Sequence, residues 1–217
     1  MRGGRIADAV RRGTGRAAGV IGEWCEAYRA AGCDAPLAPA NRFLRLPASF
    51  APPGAGWRPP TQGGAYWWGT FDSAYTRVGD FIRRKGEGDE AIWFIASQEH
   101  LLPILCVRTN CLIDVMRPAA AEAPGLNGYG GVVRRASLPV ARGWPASRLA
   151  SGGQAVAGAA LPGGVAAGGW QVLMPAVPGA TLRNGDLVAD GGGGTGVIGS
   201  AELTAMGWRL HVRAAAA

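Results

Sequence analysis

The chain has 217 residues, and its composition excludes several classes of protein. It contains 36 glycines, 15 prolines, 48% hydrophobic residues and only 17% charged residues. Charged disordered segments and coiled coils carry far more charge, and the glycines have no three-residue period, which excludes collagen. A compact chain of this size buries roughly 70% of its extended surface, enough for one large domain or two small ones.

The charge of the chain is basic and unevenly placed. The net charge is +7, and lysine occurs once, as Lys85. Basic residues cluster near the N-terminus, at 83–85 and at Arg134-Arg135. Two interpretations stay open, a solvated arginine surface and contact with DNA or a neighbouring subunit. The candidate contact residues are Arg11, Arg12, Arg83, Arg84 and Lys85.

Targeting signals and cysteines bound the cellular context. The N-terminal arginines lead only into a short Ala/Gly/Val/Ile run, so no secretory signal is expected. The uncharged stretch 149–182 is rich in glycine and proline, and its apolar run at 170–174 is far shorter than the ~20 residues that a bilayer needs. No membrane contact is therefore predicted. We expect free thiols, with a Cys25–Cys33 disulfide as the alternative.

The first third of the chain predicts little regular structure. A short basic helix is predicted over 3–22, although its glycines weaken it. A strand over 24–29 follows. Residues 31–64 are rich in proline and glycine, and they predict an extended arm around a short strand at 43–46.

The rest of the chain predicts strands separated by loops. β-Branched and aromatic runs bounded by glycine, proline or charge are typical of strands. They occur at 66–68, 81–82, 92–96, 105–116, 138–142, 171–176, 186–189, 195–199 and 208–213. In 105–116 the alternation of apolar and polar residues indicates one long strand with one buried face. Residues 118–131 and 150–169 are loops of low complexity.

An internal repeat is the most informative pattern. Arg77-Val-Gly-Asp-Phe-Ile82 matches Arg183-Asn-Gly-Asp-Leu-Val188, and Phe94–Glu99 parallels Val197–Glu202. Cys106-Val-Arg108 is then aligned with His211-Val-Arg213. Gly-Asp suits a tight turn, because glycine tolerates a positive φ and aspartate bonds the local backbone. The predicted turn-forming residues are Gly79, Asp80, Gly185 and Asp186.

The repeat defines the predicted fold and domains. We predict a mainly β protein with two related small β-barrel or sandwich modules, for which an SH3-like barrel is one form. A short N-terminal helix and long Pro/Gly-rich loops complete it. The predicted boundaries are 1–64 for the basic segment and arm, 65–118 for the first module, 119–170 for a connector and 171–217 for the second module.

No pattern in the sequence predicts a catalytic, cofactor or metal site. The two histidines, His100 and His211, belong to no catalytic motif, and Cys106 and Cys111 point to opposite faces of the predicted strand. Gly191–Gly196 fits G-x-G-x-x-G but lacks the following helix and acid, so it indicates a hairpin loop. The acids around 80–90 are expected at a solvated hairpin tip. Core or subunit contact is the interpretation preferred over a stacking platform for the aromatics Trp67, Trp68, Trp93 and Trp208.

The order of several motifs resembles structural proteins of tailed bacteriophages and prophages. The motifs are Leu101–Arg108 with Arg117-Pro118, Gly143–Ser147, Leu182–Val188 and Gly199–Leu210. The apolar-x-x-Gly-Asp-apolar-apolar pattern followed by a glycine loop is also similar to head–tail stopper and neck proteins with small β-barrels. The resemblance covers roughly residues 64–213.

The resemblance implies assembly rather than turnover. It implies a non-enzymatic neck or tail subunit, a head–tail connector assembled in the host cytoplasm and located in the virion. Copies would form a cyclic ring between portal or adaptor and tail proteins, around genomic DNA at ejection, with no cofactor and no membrane. Two alternatives remain: a basic β-barrel that binds nucleic acid, and a virion-associated glycan hydrolase using Glu99 and Glu202.

Overall fold

The structure, a computed structural model, describes residues 3–54, 64–86, 90–99, 101–119, 137–150 and 169–214. Several predictions lie outside these residues. They concern Arg2 of the N-terminal basic cluster, the acids Glu87 and Asp89 of the expected hairpin tip, His100, the basic pair Arg134-Arg135 and most of the loops 118–131 and 150–169.

Among the described residues, one helix precedes two groups of six strands. The helix α1 spans Gly3–Ile21, and a 3-10 turn spans Pro39–Asn41. The first six strands are β1 Glu23–Tyr28, β2 Arg42–Ala51, β3 Tyr66–Thr70, β4 Phe81–Arg84, β5 Ala91–Ser97 and β6 Ile104–Arg108. The second six are β7 Cys111–Pro118, β8 Ser137–Ala150, β9 Gly169–Met174, β10 Leu187–Asp190, β11 Thr195–Thr204 and β12 Gly207–Ala214.

The two groups form antiparallel barrels with the same strand order. The first barrel runs β1-β2-β3-β6-β5-β4 and closes through the pairing of β1 with β4. The second runs β7-β8-β9-β12-β11-β10 and closes through the pairing of β7 with β10. Closure leaves neither sheet with an unpaired edge. The predicted mainly β fold with two related modules and a short helix is confirmed.

The predicted long strand at 105–116 is wrong. It is two strands, β6 of the first barrel and β7 of the second, joined by Thr109 and Asn110. Each linker residue is bonded into a different barrel, since the Thr109 amide donates to Ile92 and the Asn110 amide donates to Ala146. The alternation misled because β6 is buried on both faces, with Cys106 in the first barrel and Val107 facing the second.

The boundaries of the two barrels also differ from the boundaries of the two predicted modules. The first takes in β1 and β2, which the prediction assigned to the N-terminal segment and arm. The second begins at Cys111 and includes β8, which the prediction assigned to a connector. Both mismatches have one cause: Pro47 in β2 and Gly143 and Pro145 in β8 favour loop, so the sequence predicts only the segments 43–46 and 138–142 as strands and leaves them outside the modules.

Each barrel has its own core. Inward-facing residues fill the first barrel, and Phe50 stacks on Trp93 with ring centroids 3.9 Å apart. These residues are Cys25, Ala27, Leu46, Ala48, Phe71, Ile82, Ala91, Trp93, Ile95, Ile104 and Cys106. The predicted core interpretation of Trp93 and Trp208 agrees with their burial, whereas Trp67 and Trp68 are partly exposed.

The outer face of the first barrel packs on the second barrel. One residue from each of five neighbouring strands forms a continuous cross-strand row, which we call the covered row. It consists of Tyr28, Phe81, Phe94, Val107 and Tyr66. All five are buried and belong to one cluster with the core of the second barrel. Phe81 meets Trp144 edge-on with ring centroids 5.9 Å apart.

The loop after β1 strengthens this contact. The amide of Ala35 donates to the Arg142 carbonyl, and the amide of Arg142 donates to the Cys33 carbonyl, both at 3.0 Å. The Trp144 indole N–H also donates to Cys33, at 2.6 Å. The predicted arm is therefore partly a strap that bonds the first barrel to β8.

Candidate functional site

The first Gly-Asp turn is built around the buried Asp80. Oδ1 accepts from Arg29 Nε at 2.8 Å, while Oδ2 accepts from Arg29 Nη2 at 2.7 Å and from the Arg77 amide at 2.9 Å. Arg29 also donates to the Tyr75 carbonyl. Gly79 has φ +91°, which favours glycine, and its amide donates to Ile95. The turn is thus fixed by a bidentate ion pair.

The second Gly-Asp turn repeats this arrangement. Asp186 accepts from Nε and Nη2 of Arg117, each at 2.8 Å, and from the Arg183 amide at 2.8 Å. Arg117 donates to the Thr181 carbonyl, and the Gly185 amide donates to Ile198. Gly185 has φ +89°. Asp186 is buried like Asp80, so both carboxylates are held in place by groups of their own barrel.

The clamping arginines are the residues that sequence reasoning missed. Arg29 directly follows β1 and Arg117 lies in β7, the matching strand, so each carries the same position in its own barrel. A signal was available, because Cys25-Glu-Ala-Tyr-Arg29 and Ile113-Asp-Val-Met-Arg117 share an acid three residues before the arginine. Hydrogen bonding to the aspartates raises the pKa of both guanidinium groups above its ordinary value.

The structure also refines the alignment of the repeats. Phe94 pairs with Val107, whereas the equivalent Val197 pairs with Arg213. Val107 therefore corresponds to Arg213, and Cys106 corresponds to Val212. The predicted match of Cys106-Val-Arg108 with His211-Val-Arg213 is one residue out of register. A bulge in the same place, after Ile95 and after Ile198, supports the corrected alignment.

The basic residues 83–85 lie among carboxylates. Arg83 forms an ion pair with Glu90. Arg84 lies 3.6 Å from Glu23 and over the ring of Trp93. Asp80, predicted for the same solvated tip, is instead buried at the opposite end of β4. The cluster is therefore largely neutralised by its neighbours rather than a bare positive surface.

Glu26 is the buried centre of that charge network. Its carboxylate accepts from the Tyr28 hydroxyl at 2.6 Å and from Arg42 at 2.7 Å, and Lys85 lies 3.1 Å away. The hydrogen bond from Tyr28, helped by Lys85 and Arg42, lowers the pKa of Glu26 from 4.5 to about 2 against the opposing effect of burial.

The N-terminal candidates Arg11 and Arg12 lie in α1. Both contact Asp8: a guanidinium nitrogen of Arg11 lies 3.7 Å from its carboxylate, and Arg12 donates to its carbonyl at 3.3 Å. Arg12 is exposed and Arg11 is half-buried. The described contacts of Arg11 and Arg12 do not include Arg83, Arg84 or Lys85.

The glycine run at 191–196 forms the β10–β11 hairpin, as predicted. Asp190 Oδ1 accepts from the amides of Gly192 and Gly194, at 3.0 and 2.6 Å, and Oδ2 pairs with Arg148. Arg148 also lies 4.4 Å from the ring centroid of Trp170. These contacts close the loop on its own aspartate.

Side chains that could act in catalysis or bind a metal ion are spread over the molecule. Glu99 and Glu202 occupy matching hairpins of different barrels, and Glu202 pairs with Arg209. The four cysteines are free, and burial raises the pKa of Cys25 to about 11. Within the described ranges, no three His, Cys, Asp or Glu side chains are grouped as a metal ion requires. No helix among the described residues is long and apolar enough to cross a membrane.

When the chain is compared with models of protein families, with curated proteins and with solved structures, none of them matches.

Proposed function

We propose that the chain is a structural subunit of a ring in a phage neck or tail, which links portal or adaptor proteins to the tail around the DNA passage. One observation carries the proposal. The two best-organised polar sites, at Asp80 and Asp186, have carboxylates whose described partners are a backbone amide and arginines of the same barrel. Such sites stabilise a scaffold and leave little of the carboxylate for a substrate.

The strap at Cys33–Arg142 supports the same proposal. A short extended segment of one barrel is bonded to a strand of the next by backbone hydrogen bonds and by the Trp144 indole. Subunits of closed rings are joined by heterologous contacts, and loops that drape over a neighbour are one way to make them. This chain already uses that device between its own barrels.

The proposal is tested by the mass of the purified protein, measured by native mass spectrometry alone and after mixing with portal and tail proteins. We expect a closed ring of one fixed copy number, alone or on its partner. A chain that stays monomeric in every mixture would contradict the proposal. Monomer that binds DNA with a steep salt dependence would favour the nucleic-acid alternative instead. Peptidoglycan cleavage abolished by Glu99→Gln or Glu202→Gln would favour the hydrolase.

A variant that removes the charges of the basic cluster tests whether the cluster takes part in ring assembly or genome retention. Changing Arg83, Arg84 and Lys85 together to Gln is expected to weaken ring assembly or genome retention. The matched control is Glu23→Gln with Glu90→Gln, which breaks two of the same ion pairs but keeps the positive charge. Equal defects in both proteins would assign the cluster to internal ion pairing alone.

A further inference from the structure

The second barrel has a counterpart of the covered row. The same positions on β7, β10, β11, β12 and β9 also pair in one continuous line across the sheet. They are Met116, Leu187, Val197, Arg213 and Gly169, which we call the open row. Leu187 is 39% exposed, whereas the equivalent Phe81 is fully buried. Met116 and Val197 are partly exposed, and together the three form an apolar strip.

The surface that receives the covered row also has a counterpart. On the second barrel, Leu173, Gly207 and Trp208 line a small pocket together with Tyr66, Phe94 and Val107 of the covered row. The strand registers make Thr70 the equivalent of Leu173, and counting back along the chain from the matched residues Val107 and Arg213 places Leu101 and Leu102, in the turn before β6, level with Gly207 and Trp208. Gly207 and Leu101 share a positive φ, +111° and +67°, which supports the equivalence.

Leu101 and Leu102 are exposed in this chain. Their exposed fractions are 59% and 58%, which is high for adjacent leucines. With Thr70, Glu99 and Val10 of α1 they line a cleft of about 320 Å³. The first barrel thus carries a receiving surface that no part of the described chain fills.

We propose that the open row of one copy docks on the Leu101–Leu102 cleft of a second copy, in the way that the covered row docks on the second barrel within the chain. The inference rests on the proposed function, because it names the contact that would build the ring.

Two observations favour a second copy as the occupant. The contact repeats an interface that already exists inside the chain, with the same strand positions on the docking side and the turn before β6 in the place of the start of β12 on the receiving side. The surfaces also offer an ion pair across the contact, since Arg213 of the open row and Glu99 of the cleft are both exposed, and Arg11 also lines the cleft. Because the two surfaces differ, the contact is head-to-tail and repeats from copy to copy.

The test compares three single variants by sedimentation velocity and native mass spectrometry over a concentration series. Leu187→Glu changes the open row and Leu102→Glu changes the cleft. Leu112→Glu is the matched control. Leu112 is 51% exposed and lies on β7, the strand that carries Met116, but it is not part of the open row. We expect each of the first two variants to self-associate roughly tenfold to a hundredfold more weakly than wild type, and the control to behave as wild type.

Mixing the two defective variants gives the sharpest readout. The Leu102→Glu protein keeps its open row and the Leu187→Glu protein keeps its cleft, so one sound contact forms per pair. A head-to-tail contact therefore gives a heterodimer that grows no further. Thermal melting of each variant, monitored by circular dichroism, checks that the barrels remain folded.

Different failures overturn different proposals. If wild type forms a ring and both variants assemble normally, this contact is wrong while the ring stands. If only Leu187→Glu fails to assemble, the row binds something other than the cleft, and the head-to-tail contact is overturned. Wild type that stays monomeric alone and with portal and tail proteins overturns the contact and the proposed function together.

Discussion

The covered row and the open row occupy the same positions on two barrels of the same strand order, yet one is buried and the other faces solvent at Leu187. The covered row is aromatic at Tyr28, Phe81 and Phe94, where the open row has the smaller Met116, Leu187 and Val197. The strand order and the Gly-Asp turns are the same in both barrels. The comparison teaches that these features define the barrel, while the outward row defines what the barrel contacts.

The largest expected effect comes from truncating the two rows at matched positions. Phe81→Ala removes a fully buried ring that packs on Phe94 and Trp144, so it is expected to cost about 3–5 kcal/mol of the free energy of unfolding. Leu187→Ala removes a partly exposed side chain and is expected to cost less than about 1 kcal/mol in the monomer. Urea denaturation at low protein concentration measures both. Equal costs would contradict the assignment of the open row as uncovered.

The Gly-Asp turns, unlike the two rows, have the same geometry in both barrels. Asp80→Asn and Asp186→Asn each leave a clamping arginine without its carboxylate, and each carboxylate is buried. Removing one partner of a buried pair costs roughly 3–5 kcal/mol, but both arginines are about one-third exposed, which reduces the expectation to about 2–3 kcal/mol.

We expect Asp80→Asn and Asp186→Asn to lower the free energy of unfolding by similar amounts. Costs within about 1 kcal/mol of each other would show that the two turns are equivalent in energy as well as in geometry. Arg29→Lys and Arg117→Lys provide the control, since lysine keeps the charge but cannot bind both carboxylate oxygens in the same plane. A large cost at one turn and none at the other would break the equivalence.

The sequence predicted the fold class, the repeat and most of the strands. The Gly-Asp turns were readable because glycine and aspartate are each selected by local backbone geometry. The N-terminal helix was predicted despite its glycines, and the glycine run at 191–196 was correctly assigned to a hairpin. Local rules therefore sufficed wherever the structure is decided locally.

The rest depends on contacts between distant residues. Arg29 reaches Asp80 across 51 positions and Arg117 reaches Asp186 across 69, so the acid that precedes each arginine by three residues matches the two segments but does not reveal which aspartate each arginine binds. The continuous strand predicted at 105–116 failed because burial on both faces of β6 is imposed by the second barrel. Arg83 pairs with Glu90 of its own hairpin, but the partners of Arg84 and Lys85 are Glu23 and Glu26 of β1, which the sequence does not place next to them.

Glu26 and Asp114 offer a third comparison, at matching positions three residues before the clamping arginines. Asp114 is exposed and accepts from the Gly143 amide, at a point where β8 bulges. Glu26 is buried and bound by Tyr28, Arg42 and Lys85. At this position the first barrel therefore has a buried carboxylate bound to two cations, whereas the carboxylate of the second barrel is exposed.

This difference predicts a dependence of stability on pH that originates in the first barrel. Because the pKa of Glu26 falls from 4.5 in the unfolded chain to about 2 in the fold, the carboxylate stabilises the protein fully above pH 4.5. That contribution is lost as the pH falls from 4.5 to about 2. With the half-exposed Arg42 and Lys85 screened by solvent, we expect a loss of about 1–2 kcal/mol. Urea unfolding at a series of pH values measures it, and Glu26→Gln should flatten the profile in this window.

Tyr28→Phe isolates the cause of the shift. The phenylalanine ring keeps its place in the covered row, but the strongest hydrogen bond to Glu26 is gone, so the pKa of Glu26 rises toward its ordinary value. The acid-induced loss should then be smaller and should end at a higher pH than in wild type. A Tyr28→Phe profile that matches wild type would mean that Arg42 and Lys85 alone hold the carboxylate ionised. The buried carboxylate would then depend on the basic cluster rather than on the row that packs the two barrels together.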